Sequence, residues 1–149
     1  MYFVGKHDYA MDRKRVPIPP PYRAAFAAGG FVTTGIGPFL VMHTAESWKH
    51  AAETIESVPL ETEAGGHVHR DFFGNAAPIA PDGQGRVQLS DPLIEHAGLS
   101  HEVRVVGTGS RLEIWDKATF DERAPQSQAT RRSTIGRPSV PEAAPEEEK

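Results

Sequence analysis

Two short charged segments are the residues best equipped for chemistry: Asp12-Arg13-Lys14-Arg15 and Asp82-Gly83-Gln84-Gly85-Arg86. Each sets an acid before a turn and an arginine after it, and each runs into a strand-like stretch, Val16-Pro17-Ile18-Pro19 or Val87-Gln88-Leu89. An exposed arginine can grip a phosphate with two N–H groups or fork onto the acceptor edge of a guanine, and lysine adds a point charge. The aspartate can hold its neighbouring arginine or cap the turn. A lone charge cluster at a strand entry is commonly no more than solvated surface. Recurrence of the same device weakens that reading.

Other chemistries find little support. There is no cysteine, which excludes a disulfide scaffold, thiolate zinc sites, iron–sulfur clusters and a thiol nucleophile. His67 and His69 alternate around Val68, so on a strand they share one face, with Asp71 as the only third ligand nearby. That set is too small to hold a metal, and no metal or other cofactor is expected. No nucleophile elbow and no phosphate-binding P-loop is present. Gly35-Ile36-Gly37 and Gly107-Thr108-Gly109 lack the third glycine of a dinucleotide fingerprint. An enzyme is not expected. Trp48, Phe72, Phe73 and Trp115 read as core or subunit-interface aromatics.

The elements that position the two turns come from an internal repeat. FVTTGIGPFLVMHTAESW, residues 31–48, aligns without a gap on VRVVGTGSRLEIWDKATF, residues 103–120. Gly35 meets Gly107, Leu40 meets Leu112, and Trp48 meets Phe120. β-Branched runs flank the glycines, so each copy reads as strand, turn, strand and helix start, with Thr44 and Asp116 as N-caps. Residues 22–28 and 93–97 read as short helices, stopped by Gly29-Gly30 and Gly98. Residues 44–58 carry Trp48, Ala51, Ala52, Ile55 and Val58 at helical spacing, and Pro59 ends that helix. A loop over 60–66 and the stretch 67–76 then lead to the second copy. The predicted organisation is a first half over residues 5–48, a linking helix and loop over 49–76, a second half over 77–120, and a disordered tail over 124–149. Halves of about 45 residues are too small to stand alone, so their strands are expected to interleave into one barrel-like core.

Composition fits that plan. Hydrophobic residues make up 38% of the 149, and the tail contributes almost none of the large ones. It is rich in Pro, Ser, Ala, Glu and Arg, and cannot offset the entropy of ordering. The net charge is −4, yet residues 1–30 carry five bases and two acids. Any polyanion contact must therefore use a local patch. Useful affinity needs roughly 6–10 phosphate contacts, more than one copy of these turns supplies, so an oligomer is expected. No apolar run approaches a membrane span, and the N-terminal residues do not read as a signal peptide; a cytoplasmic protein is expected.

The second half, DGQGRVQL followed by HAGL and VVGTGSRLEIWDKATF, resembles the MraZ family of bacterial transcriptional regulators. RDFFGNA before it resembles the arginine and paired aromatics that precede that half. Gly5 and residues 12–23 resemble the family's opening. The resemblance covers about residues 1–122. It implies an α+β, mainly β fold: two SpoVT-AbrB halves forming swapped-hairpin, double-split β-barrels in pseudo-two-fold repeat. It also implies a ring-shaped homo-oligomer, nucleoid-associated, that binds direct repeats of double-stranded DNA in the promoter of the division and cell-wall genes. The family turn is Asp-x-Lys-Gly-Arg. The second turn has Gln84 for the lysine; the first lacks the glycine and is one residue shorter. By this resemblance the DNA contacts are Arg13, Lys14, Arg15, Arg86 and Gln84, supported by Asp12, Asp82 and Gly85. The arginine role in the first turn falls to Arg15 alone, or is shared with Lys14 or Arg13. The alternative is an AbrB-like protein-interaction or antitoxin-type module.

Overall fold

The computed structural model describes residues 1–135. The strands are β1 (Lys6–Ala10), β2 (Arg15–Pro17), β3 (Gly30–Thr34), β4 (Phe39–Thr44), β5 (Ala77–Pro78), β6 (Arg86–Gln88), β7 (Glu102–Gly107) and β8 (Leu112–Asp116). The helices are α1 (Ala45–Glu56), α2 (Glu63–Gly74), α3 (Asp91–Ala97) and α4 (Lys117–Ile135), with a 3-10 helix at Pro20–Phe26. The architecture is α+β with a mainly antiparallel sheet. Six strands run in the order β1-β7-β8-β4-β3-β5, and β2 and β6 form a separate ribbon.

That order interleaves the halves. The two hairpins meet at the sheet centre, where β4 pairs β8 from Phe39↔Trp115 to Met42↔Leu112. The first-half strand β1 crosses to flank β7 of the second, and β5 of the second half flanks β3 of the first. Neither half closes its own sheet. The shared core draws on both: Val16, Ile18, Val32, Leu40 and Met42 from the first, Val87, Leu89, Val103, Leu112 and Ile114 from the second, all at most 1% exposed. Burying one such side chain is worth about 1.5–3 kcal/mol, so splitting the halves would expose most of the core.

Both hairpins form as expected, but the gap-free alignment is out of step on their first strands. Gly35 N–H donates to the Phe39 carbonyl, leaving a three-residue connection, Ile36, Gly37 and Pro38. In the second hairpin Thr108 N–H donates to Arg111, leaving only Gly109 and Ser110. By register Val32 therefore corresponds to Val105, one residue beyond where alignment puts it. A one-residue slip turns a side chain to the other face. Hence Arg104, aligned with buried Val32, instead points away from the core and pairs with Asp8 across β1.

Two expectations need correction. Residues 60–66 were expected to be a loop, with 67–76 leading into the second half; α2 begins at Glu63 inside that loop and runs to Gly74. Thr62 caps it, accepting from Gly65 N–H at 2.9 Å. Gly65 is no helix breaker here. A Cβ at that position would run into the Pro59 carbonyl, so glycine lets the new helix start tight against the end of the old one. The disordered tail was expected from residue 124, whereas α4 is helical through Ile135. Its Ala, Arg, Gln and Glu residues are good helix formers. Taken by itself, α4 buries no residue and is polar on all sides, apart from the proline inside it at 125. The rest of the expected tail, residues 136–149, lies outside the described residues.

Candidate nucleic-acid interface

The antiparallel ribbon of β2 and β6 sets the two charged turns at its two ends, three residue pairs apart and within side-chain reach of each other. Its pairs are Arg15↔Gln88, Val16↔Val87 and Pro17↔Arg86. Val16 and Val87 face the core at 0% and 1% exposure, which fixes the ribbon's lower face and points its turns outward. The halves' motifs, far apart in sequence, thus share one ribbon.

The turns reach that position by different routes. In the first, Asp12 and Arg15 exchange both backbone hydrogen bonds, at 2.9 and 3.1 Å. This is a two-residue turn, and its central residues Arg13 and Lys14 have φ of 53° and 64°. Both lie in the left-handed region that glycine or asparagine normally fills. The second turn has one more residue. Gly85 N–H donates to Asp82 O, Asp82 N–H donates to Arg86 O, and Gly85 takes the left-handed position at φ 76°. Any side chain at Gly85 would collide with Arg23, whose Nε donates to the Ile18 carbonyl. The glycine missing from the first turn is thus replaced by two strained cationic residues.

A four-residue charge cluster joins the turns. Asp82 Oδ1 accepts from the backbone N–H of Gln84 at 2.9 Å and of Arg86 at 3.0 Å. Arg86 Nε donates to Asp82 Oδ2 at 2.9 Å, and its NH1 reaches Asp12 Oδ2 at 3.0 Å. Arg15 NH1 lies 3.6 Å from Asp82 Oδ2. The Arg86 amide, then the Gln84 amide and the Arg86 guanidinium, hold the Asp82 carboxyl below the usual carboxylate range. Lys14 Nζ pairs with Asp91 at 2.8 Å, with both side chains more than half exposed.

The expected contact residues therefore divide. Arg13, Lys14 and Gln84 are exposed. Arg15 and Arg86 are not freely exposed: their side chains are 30% and 21% accessible, and each faces an aspartate. Sequence reasoning missed three neighbours, namely Arg23 behind Gly85, Asp91 beside Lys14, and the cross-half pairing of Arg86 with Asp12. Ser90-Asp91 before a helical run was a legible helix start, but its approach to Lys14 depends on the ribbon.

The paired histidines lie on α2 instead of a strand, so positions two apart point in nearly opposite directions. His69 Nε2 donates to the Val58 carbonyl at 2.8 Å and ties α2 to the end of α1. Among the described residues, no three His, Asp or Glu side chains converge as a metal site would require. The expected aromatics form a stack at the α1–α2 corner, where Trp48 lies 4.5 Å from Phe31 and 4.7 Å from Phe72. Trp115 instead stacks on Phe39 across the sheet centre. Among the described residues no helix is long and apolar enough to cross a membrane.

Residues 72–135 match the family described as "MraZ protein, putative antitoxin-like". The chain is also similar to the transcriptional regulator MraZ of Kocuria rhizophila. The two are 34% identical over 128 residues, which is 85% of this chain and 90% of that one.

Proposed function

The chain belongs to the MraZ family of transcriptional regulators, which are not enzymes, and on that premise we propose that it binds promoter DNA sequence-specifically through its two charged turns. The observation that carries this reading is the β2–β6 ribbon, which unites the turns bearing Arg13, Lys14, Arg15, Gln84 and Arg86. Arg13 and Lys14 supply phosphate contacts, and Gln84 offers amide groups to a base edge. The interleaved halves fit the swapped-hairpin, double-split β-barrel of SpoVT-AbrB proteins.

One protomer is a weak binder. Asp12, Asp82 and Asp91 sit among its cations and offset most of their charge. Non-specific affinity changes by about 0.9 log unit per log unit of salt for each phosphate engaged, so a few contacts bind poorly at physiological salt. We therefore propose a ring-like homo-oligomer in the nucleoid of the cytoplasm. It presents several copies of the ribbon to direct repeats ahead of the division and cell-wall genes. Once one repeat is bound, the next contact is effectively intramolecular.

The test is a gel shift on the DNA upstream of the protein's own gene, titrated with salt, alongside light scattering for subunit number. A steep fall in affinity with salt, and preference for several repeats over one, is the expected result. A second reading, an antitoxin-type module that engages a protein partner, draws on the matched family's description. A monomer with no salt-sensitive DNA binding would favour it.

A further inference from the structure

Arg86 occupies an unusual position for a residue expected to touch DNA. Its guanidinium is already spent on two carboxylates, Asp82 of its own turn and Asp12 of the other half's turn, at 2.9 and 3.0 Å. Asp82 is spent as well, on two backbone amides and on Arg15. By contrast, the Arg13 and Gln84 side chains have no partner among the described residues, and Lys14 holds only the open surface pair with Asp91. The ribbon beneath has three residues per strand, extended at its ends by Leu89 N–H to the Lys14 carbonyl at 2.8 Å and Ile18 N–H to the Gly85 carbonyl at 2.9 Å; these fix the turns' backbones, and the Arg86–Asp12 pair is the side-chain link reaching from one turn's aspartate to the other turn's arginine.

We propose that Arg86 is a positioning residue: a clasp that fastens the two turns into one rigid reading head, with Asp12 and Asp82 as its catches. DNA is then met by Arg13, Lys14 and Gln84. The inference rests on the DNA-binding reading. Its physical content is a separation of affinity from specificity. Phosphate contacts set affinity and its salt dependence, whereas the fixed spacing of groups against base edges sets sequence discrimination. A planar guanidinium can bridge two carboxylates at once; a lysine ammonium is a point charge that does not reproduce the fork.

The experiment compares four variants with the wild type in salt titrations on the upstream fragment and on scrambled DNA. Thermal melts serve as the folding control. Arg13→Ala should weaken binding to both DNAs and lower the log–log salt slope by about 0.9 per site engaged. Arg86→Lys keeps the charge, so its slope should match the wild type, while preference for the promoter over scrambled DNA falls about tenfold. Asp12→Asn removes a negative charge from a DNA-facing turn. Electrostatics alone would make it bind the promoter more tightly with preference intact; the clasp requires unchanged or tighter scrambled-DNA binding and a lost preference. Asp12→Asn combined with Arg86→Lys should be no worse than Arg86→Lys alone, in discrimination and in melting temperature.

Wild-type discrimination in Arg86→Lys would overturn the clasp, as would a salt slope lowered by Arg86→Lys or additive melting effects in the double variant. Failure of the underlying reading looks different. The wild type would then bind neither DNA, or Arg13→Ala would leave both affinities unchanged. The melting cycle would still report whether Arg86 and Asp12 are coupled.

Discussion

Arg13 and Lys14 hold φ of 53° and 64° in a two-residue turn, a conformation that costs an L-residue about 1–2 kcal/mol. Two such residues in succession persist because the Asp12–Arg15 backbone pair closes the turn and the ribbon holds its ends. Lys14→Ala and Lys14→Gly both remove the Asp91 pair, and only glycine also removes the strain. Lys14→Gly should therefore be more stable than Lys14→Ala by about 1 kcal/mol in urea unfolding, with DNA affinity reduced in both. His43 poses a separate question. It is 3% exposed, its Nδ1 lies 2.5 Å from Ser47 Oγ, and Trp48 and Phe72 meet its ring edge-on. Burial, helped by the positive charge of Arg111, lowers its pKa from 6.5 to about 4. The unfolded chain therefore takes up a proton on falling through pH 6.5, while the folded chain resists until about pH 4. The stability involved is fully present above pH 6.5 and is lost toward pH 4. Between pH 7.5 and 5 the loss is about 2 kcal/mol. His43→Gln should flatten that part of the urea-midpoint profile.

At the level of elements, apolar packing outweighs the visible ion pairs. Asp8 and Arg104 stand directly opposite on β1 and β7 and form two hydrogen bonds, at 2.7 and 3.0 Å. The Asp8 side chain is nonetheless 46% exposed, and exposed pairs rarely exceed 1 kcal/mol. Val16 and Val87 are partners in the small ribbon and are almost fully buried. Val87→Ala should cost about 2 kcal/mol in denaturant unfolding, and Asp8→Ala less than half of that. Because Val16 and Val87 stand directly opposite in the ribbon, the paired alanine variant should depart from additivity. Val87→Ala should also blunt promoter discrimination, since the valines seat the turns. The same ribbon explains why Arg86 and Asp12 meet.

For the whole molecule, interleaving makes each half a part of the other's sheet. Unfolding of residues 1–117 should be a single transition, with near- and far-ultraviolet circular dichroism melting together. Deleting residues 124–149 removes the last twelve residues of α4 and should lower helical ellipticity, read by far-ultraviolet circular dichroism. If the proposed oligomer survives truncation, its contacts lie within the folded halves. A drop to monomers would place them in the deleted segment.

The sequence by itself determined the repeat, both hairpins, the Thr44 cap, the helix from Ala45, the short helix ended by Gly98, and the two charged turns. These are local matters: β-branched runs, turn glycines and capping oxygens act within a few residues. It also revealed the family. It misjudged the one-residue register difference, because a gap-free alignment hides that the connections have three and two residues, a difference visible only once backbone bonds form. It misjudged α2, because a glycine pair looks like a helix breaker until the Pro59 carbonyl is in place against it. Only tertiary structure decided that Arg86 belongs to both turns. That pairing joins residues 74 apart, and what brings them within 3.0 Å is a ribbon made by one strand from each half, seated by valines on a core the halves share.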